Sequence, residues 1–121
     1  MILDHLGVSV SNLERSKAFY KRALQPLGIN VIMEFDGFAG MGKERPQFWL
    51  SAGEPGAHKT HIAFVATSRA QVDAFYVAAM AAGGKDNGKP GVRAMYHPNY
   101  YGAFVFDPDG YNVEAVCHTA A

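Results

Sequence analysis

The chain has a single cysteine, Cys117, among 121 residues, so no intrachain disulfide can form and a disulfide-stapled secreted fold is excluded. It also lacks any excess of charge: Lys+Arg and Asp+Glu are 11 each, leaving no basic surplus for a phosphate backbone. Nucleic acid is not an expected partner. Long hydrophobic runs are missing too, the apolar stretches falling far short of the ~20 residues that cross a bilayer. The first residues, with Asp4 and His5 at once, lack the charged and apolar regions of a secretory signal, and the expected location is the cytoplasm. What is present, 49% hydrophobic residues, suits one packed domain over residues 1–121. Cys117 lies in an apolar run and reads as a small core residue rather than a reactive thiol.

The chain repeats itself. The stretch from His5 to Gly28 reappears, shifted by 56 positions, between His61 and Gly84. His5-Leu6 answers His61-Ile62, Ala18-Phe19-Tyr20 answers Ala74-Phe75-Tyr76, and Gly28 answers Gly84. A period of this length means one supersecondary unit used twice. In the first copy, Leu3 to Val10 alternates as a strand, and Ser11-Asn12-Leu13-Glu14 has the spacing of a capping box that opens a helix. Ser16, Phe19, Tyr20, Ala23, Leu24 and Leu27 share one helical face, which Pro26 and Gly28 close. Three short extended runs follow, roughly Asn30 to Phe35, Gly37 to Met41 and Gln47 to Ser51.

The connector Gly53-Glu54-Pro55-Gly56 separates the modules, which span about 1–54 and about 58–121. It is too short to link independent domains. A strand over Thr60 to Ala66 precedes a second capping box, Ser68-Arg69-Ala70-Gln71, and a helix ending at Gly83-Gly84. Phe19, Tyr20, Phe75 and Tyr76 stand at helical spacing and read as core. Residues 85–100 read as an irregular stretch with one strand around Val92 to Tyr96. Strands over Tyr101 to Phe106 and Tyr111 to Cys117 flank the turn Asp107-Pro108-Asp109-Gly110. Aligning the last strands of the copies needs an offset of 65, which sets Glu114 against Trp49 and places about nine extra residues in the irregular stretch. Alternation puts Asn112, Glu114, Val116 and His118 on one face of the last strand. A lone carboxylate in so apolar a strand has to be paired, protonated or coordinated.

The βαβββ pattern used twice, the histidine leading each copy and the Asp107-Pro108-Asp109-Gly110 turn before Glu114 resemble the vicinal oxygen chelate superfamily. That group includes glyoxalase I, extradiol dioxygenases, and fosfomycin and bleomycin resistance proteins. The resemblance implies an α+β fold in which two βαβββ modules form a U-shaped mixed sheet with helices on its outer face. It also implies a homodimer and a divalent metal ion held at the positions of His5, His61 and Glu114. Two imidazoles and a carboxylate leave positions for water and an oxygen-rich small-molecule substrate, and they suit Fe, Mn, Ni, Co or Zn without choosing among them.

At one corner the chain departs from that family. The glutamate that shuttles protons in glyoxalase I would fall at Trp49 or at its same-face neighbour Gln47, and neither side chain takes up a proton. Both are then candidates for substrate contact, Trp49 reading equally as core filler. The irregular stretch has no counterpart in the first copy, and such loops often carry specificity. From it His97 and Tyr100 are candidate acids or bases, while Arg93, Lys89 and Tyr101 are candidate substrate contacts. His58 and His118 are accessory candidates, with His118 expected near the rim. Two functions are open: a metal-dependent lyase or dioxygenase, and a non-catalytic module that sequesters a ligand as the bleomycin resistance proteins do.

Overall fold

Two residues set where the helices begin. In the computed structural model, which describes residues 3–121, Asn12 has extended backbone angles and accepts from the Arg15 amide at 3.0 Å. Helix α1 (Leu13–Leu24) starts there. The expected cap, Ser11, is displaced by one residue because its hydroxyl donates to Asp109 instead. Ser68 does cap α2 (Arg69–Ala81), accepting from the Gln71 amide at 3.2 Å while the Gln71 side chain accepts from the Thr67 amide. The first helix ends in a tight turn over Gln25–Leu27, where Gly28 takes the left-handed conformation (φ 79°) that an L side chain adopts only with strain.

The strands are β1 (Leu6–Val10), β2 (Asn30–Phe35), β3 (Phe38–Gly42), β4 (Phe48–Ala52), β5 (His61–Val65), β6 (Lys85–Val92), β7 (Tyr101–Phe106) and β8 (Asn112–Cys117). They form two mixed four-stranded sheets, ordered β1-β4-β3-β2 and β5-β8-β7-β6, so each module builds a sheet of its own. The strand expected over Val92 to Tyr96 instead runs from Lys85 to Val92. Gly88, Pro90 and Gly91 are tolerated because β6 is an edge strand and its register shifts on both sides of Gly88. Residues 93–100 follow as a connector.

The helices cover one face of each sheet and touch one another, so a single core lies beneath them. Val10, Phe19, Tyr20, Leu24, Leu50, Phe75 and Val113 are buried there, together with Cys117. The two sheets are also locked together by the turn after β7. Asp107 accepts from the amides of Asp109 and Tyr111 at 2.9 and 2.8 Å, and its other oxygen accepts from the Tyr20 hydroxyl of the first module at 2.5 Å. Asp109 takes hydrogen bonds from the Ser11 amide and hydroxyl, and the Tyr111 hydroxyl donates to the Ser9 carbonyl at 2.6 Å. The Asp-Pro-Asp-Gly signature is thus a latch between modules. Among the described residues no helix is long and apolar enough to cross a membrane.

Candidate metal and substrate site

The register of the two sheets makes Trp49 and Glu114 equivalent. Trp49 pairs with Gly7 of β1 as Glu114 pairs with Ala63 of β5, at the same step of each repeat. Both lie on the sheet face that the helices leave open, as the alternation requires. Glu114 is nonetheless only 1% exposed. Tyr100, at the end of the connector, folds back over it and donates its hydroxyl to Oε2.

His61 approaches the other oxygen, with Nε2 3.0 Å from Oε1. Its Nδ1 lies 3.2 Å from the Asn112 carbonyl, which can only accept, so Nδ1 carries a proton. A neutral ring then turns a lone pair toward the carboxylate. That contact is attractive only with positive charge between the two atoms, supplied by a second ring proton or by a metal ion. Two neighbouring ligands about 2.1 Å from an octahedral ion lie about 3 Å apart, so the observed spacing fits a shared ion. His61 stacks on Phe104 at 6.1 Å, and the Arg93 guanidinium lies 5.4 Å above the same ring. Arg93 is held there by the carbonyls of Gly91 and Lys89.

His5 does not join this pair within one chain. It is exposed, bonded to Asp4 at 2.7 Å, and Arg45 reaches the same carboxylate at 2.9 Å. Those two partners, His5 foremost, hold the Asp4 carboxyl below its usual range. Among the described residues no three His, Cys, Asp or Glu side chains are grouped to hold a metal ion. The reason is topological: the strand following His5 and the strand that opens with His61 belong to separate sheets. Doubling the module does not by itself bring the two imidazoles together. Gln47 lies with His5, lining a cavity of about 380 Å³ at the seam between modules, along with Leu6, Met41, Lys43 and Phe64.

Trp49 occupies the open face of the first sheet as a flat plate. A Cβ at Gly40 would come within 2.8 Å of the indole, so only glycine lets the ring lie on the strand. Phe35 stacks on it at 6.2 Å and 16°. Tyr101 belongs elsewhere, since its hydroxyl donates to Asp73 of α2 at 2.6 Å on the helix-covered face. Neighbours on a strand point to opposite faces, so Tyr100 and Tyr101 could not both reach the site. His97 turns toward the exposed His118, Nε2 to Nδ1 at 2.8 Å. Burial and the hydrogen bond to Glu114 push the Tyr100 phenol well above its ordinary range. Lys89 and His58 have exposed side chains. Phe104, Gly102 and Phe35 are site residues that the sequence reading missed. Pairing the alternation of β8 with that of β7 would have found the first two.

The family model of the Glyoxalase/Bleomycin resistance protein/Dioxygenase superfamily matches residues 2–115. The chain belongs to this superfamily. A glyoxalase/bleomycin resistance protein from Albidiferax ferrireducens T118 is 31% identical, with 97% of this chain and 99% of that one covered at a TM-score of 0.87. The fosfomycin resistance protein FosX from Mesorhizobium loti shares the fold at 20% identity, TM-score 0.74, covering 98% and 95%. So does a superfamily enzyme from Burkholderia phytofirmans PsJN, at 18% identity, TM-score 0.76, covering 96% and 98%. Among curated proteins none matches. Against this superfamily background, the position equivalent to Glu114 in the first module of the chain is an aromatic plate and not a second carboxylate.

Proposed function

We propose that the chain is a divalent-metal-dependent enzyme of lyase or dioxygenase type acting on an oxygen-rich small molecule, distinct from glyoxalase I. In this reading it works as a cytoplasmic homodimer in which His5 of one copy completes the His61–Glu114 pair of the other. The observation that carries it is the His61–Glu114 contact, in which Oε1 of a buried carboxylate lies 3.0 Å from Nε2 of an imidazole whose other nitrogen faces the Asn112 carbonyl. His61, Glu114 and His5 would hold Fe, Mn, Ni, Co or Zn, and the ion would supply Lewis-acid polarisation of a substrate oxygen. Arg93 lies 5.4 Å from the Phe104 ring on which His61 stacks, with a charge suited to an anionic substrate group. Trp49 and Phe35 offer an aromatic surface that moves no proton, which is why glyoxalase I chemistry is not assigned. Phe35, Phe38 and Val65 are exposed on the open faces, as surfaces covered by a second copy would be.

Mixing two variants tests the reading. His5→Ala and Glu114→Ala homodimers should each lack a tight metal site. A heterodimer of the two should hold one intact site, so an equal mixture refolded together should recover about a quarter of the wild-type sites. Wild-type protein without bound metal and without metal-induced thermal stabilisation would sink the enzyme reading. The Trp49–Phe35 stack supports a second reading, a ligand-sequestering protein, in which Trp49→Ala abolishes ligand binding and Glu114→Ala leaves it unchanged.

A further inference from the structure

We infer that Tyr100 is a positioning residue for Glu114, holding the carboxylate so that Oε1 alone faces His61; this rests on the metal reading above. A carboxylate at the end of a glutamate side chain turns freely about its last torsion and can present either oxygen or both. Here Oε2 is occupied by the Tyr100 hydroxyl, while Oε1 lies 3.0 Å from His61. A carboxylate oxygen can only accept, so the phenol is the donor in this contact. The backbone is shaped around the pair: a Cβ at Gly102 would stand 3.1 Å from Oε2 and 3.2 Å from the edge of the Tyr100 ring.

The connector that carries Tyr100 is folded on itself. The Arg93 amide donates to the Tyr100 carbonyl at 2.7 Å, and the Tyr100 amide donates to the His97 carbonyl at 3.1 Å. Its ring is boxed edge-on by Tyr96, His97 and His118 at 4.8, 5.5 and 5.3 Å. His97 Nδ1 accepts from the Asn99 amide at 3.1 Å, so Nε2 carries the proton and donates to His118. Both nitrogens of His97 are engaged, which makes the histidine pair a clasp and not a second ion site. Two contacts, Tyr100 to Glu114 and His97 to His118, therefore fasten the connector to the strand that bears the carboxylate and to the residue that follows it.

Groups that orient a ligand in this way typically govern 10–100-fold in metal affinity. Titration calorimetry with Mn²⁺ on the full chain should show Tyr100→Phe binding about 10–100-fold more weakly. That variant keeps the ring and its packing and loses only the hydroxyl. Infrared difference spectra on Mn²⁺ addition, with Glu114→Gln identifying the bands, should show a wide carboxylate splitting in wild type and a narrower one in Tyr100→Phe. His97→Ala leaves the phenol in place and opens the clasp, and it should move both readings in the same direction by less. Mn²⁺ affinity and splitting unchanged in both variants would overturn the positioning role while leaving the metal reading standing. Wild-type protein that takes up no metal would remove both.

Discussion

Tyr20→Phe removes one oxygen from the interior, and the structure says what that oxygen does. Its hydroxyl donates to Asp107 at 2.5 Å, with Tyr20 at 0% and Asp107 at 4% exposure, so water cannot replace it. Hydrogen bonds to charged groups contribute about 1.5–3 kcal/mol, and the cost falls in the upper part of that range when the abandoned partner stays buried. For a domain of this size, about 4 °C of midpoint per kcal/mol gives a loss of roughly 6–12 °C in thermal unfolding. The pH dependence follows from Asp107, whose carboxyl burial pushes above its usual 3.8 while Tyr20, Tyr111 and Asp109 pull it down. A raised folded pKa means that the stability linked to this proton is fully present below pH 3.8 and lost as pH rises through the folded value. Removing the Tyr20 donor raises that value further, so the deficit of the variant should be larger at pH 7 than near pH 4. Asp107→Asn keeps an acceptor for the Asp109 and Tyr111 amides and turns an amide donor toward the Tyr20 oxygen. In a double-mutant cycle measured by urea unfolding, the pair should therefore couple by about 1–3 kcal/mol. Additive effects, or an unshifted Tyr20→Phe midpoint at pH 7, would refute the latch.

Gly40→Ala should lift the only tryptophan off its strand, because the added Cβ meets the indole at 2.8 Å and Pro46 at 2.9 Å. A shifted emission spectrum with about 1–3 kcal/mol of lost stability is expected, and unchanged fluorescence would count against the flat plate. Gly84→Ala should be worse, since its Cβ would stand 2.4 Å from Val105 and 2.8 Å from the Ala79 carbonyl. Little soluble protein should accumulate, whereas Gly83→Ala, with nothing within 4 Å, should be limited to the strain of its positive φ.

How legible the molecule was depended on the range of the information. Alternation and helical spacing placed α1, α2 and most strands within a few residues, because side-chain direction within one element is a local property. The Ser11 cap was misplaced because a residue 98 positions away, Asp109, competes for its hydroxyl. Tyr101 was assigned to the site on composition, and only the start of β7 decided which of two adjacent tyrosines faces Glu114. The Asp-Pro-Asp-Gly turn was visible as a motif, yet its partners Tyr20 and Ser11 were not, because nothing in the repeat pairs them.

By itself the sequence determined the doubled βαβββ unit, the equivalence of Trp49 and Glu114, and the need for Glu114 to be compensated. Repetition and period are written along the chain, and each strand obeys them without reference to its neighbours. The tertiary structure decided which groups compensate Glu114, namely His61 and Tyr100, and that His5 stands apart, just ahead of a strand of the other sheet. Those outcomes depend on how two separate sheets pack through their helices, and packing between distant segments leaves no periodic trace in the order of residues.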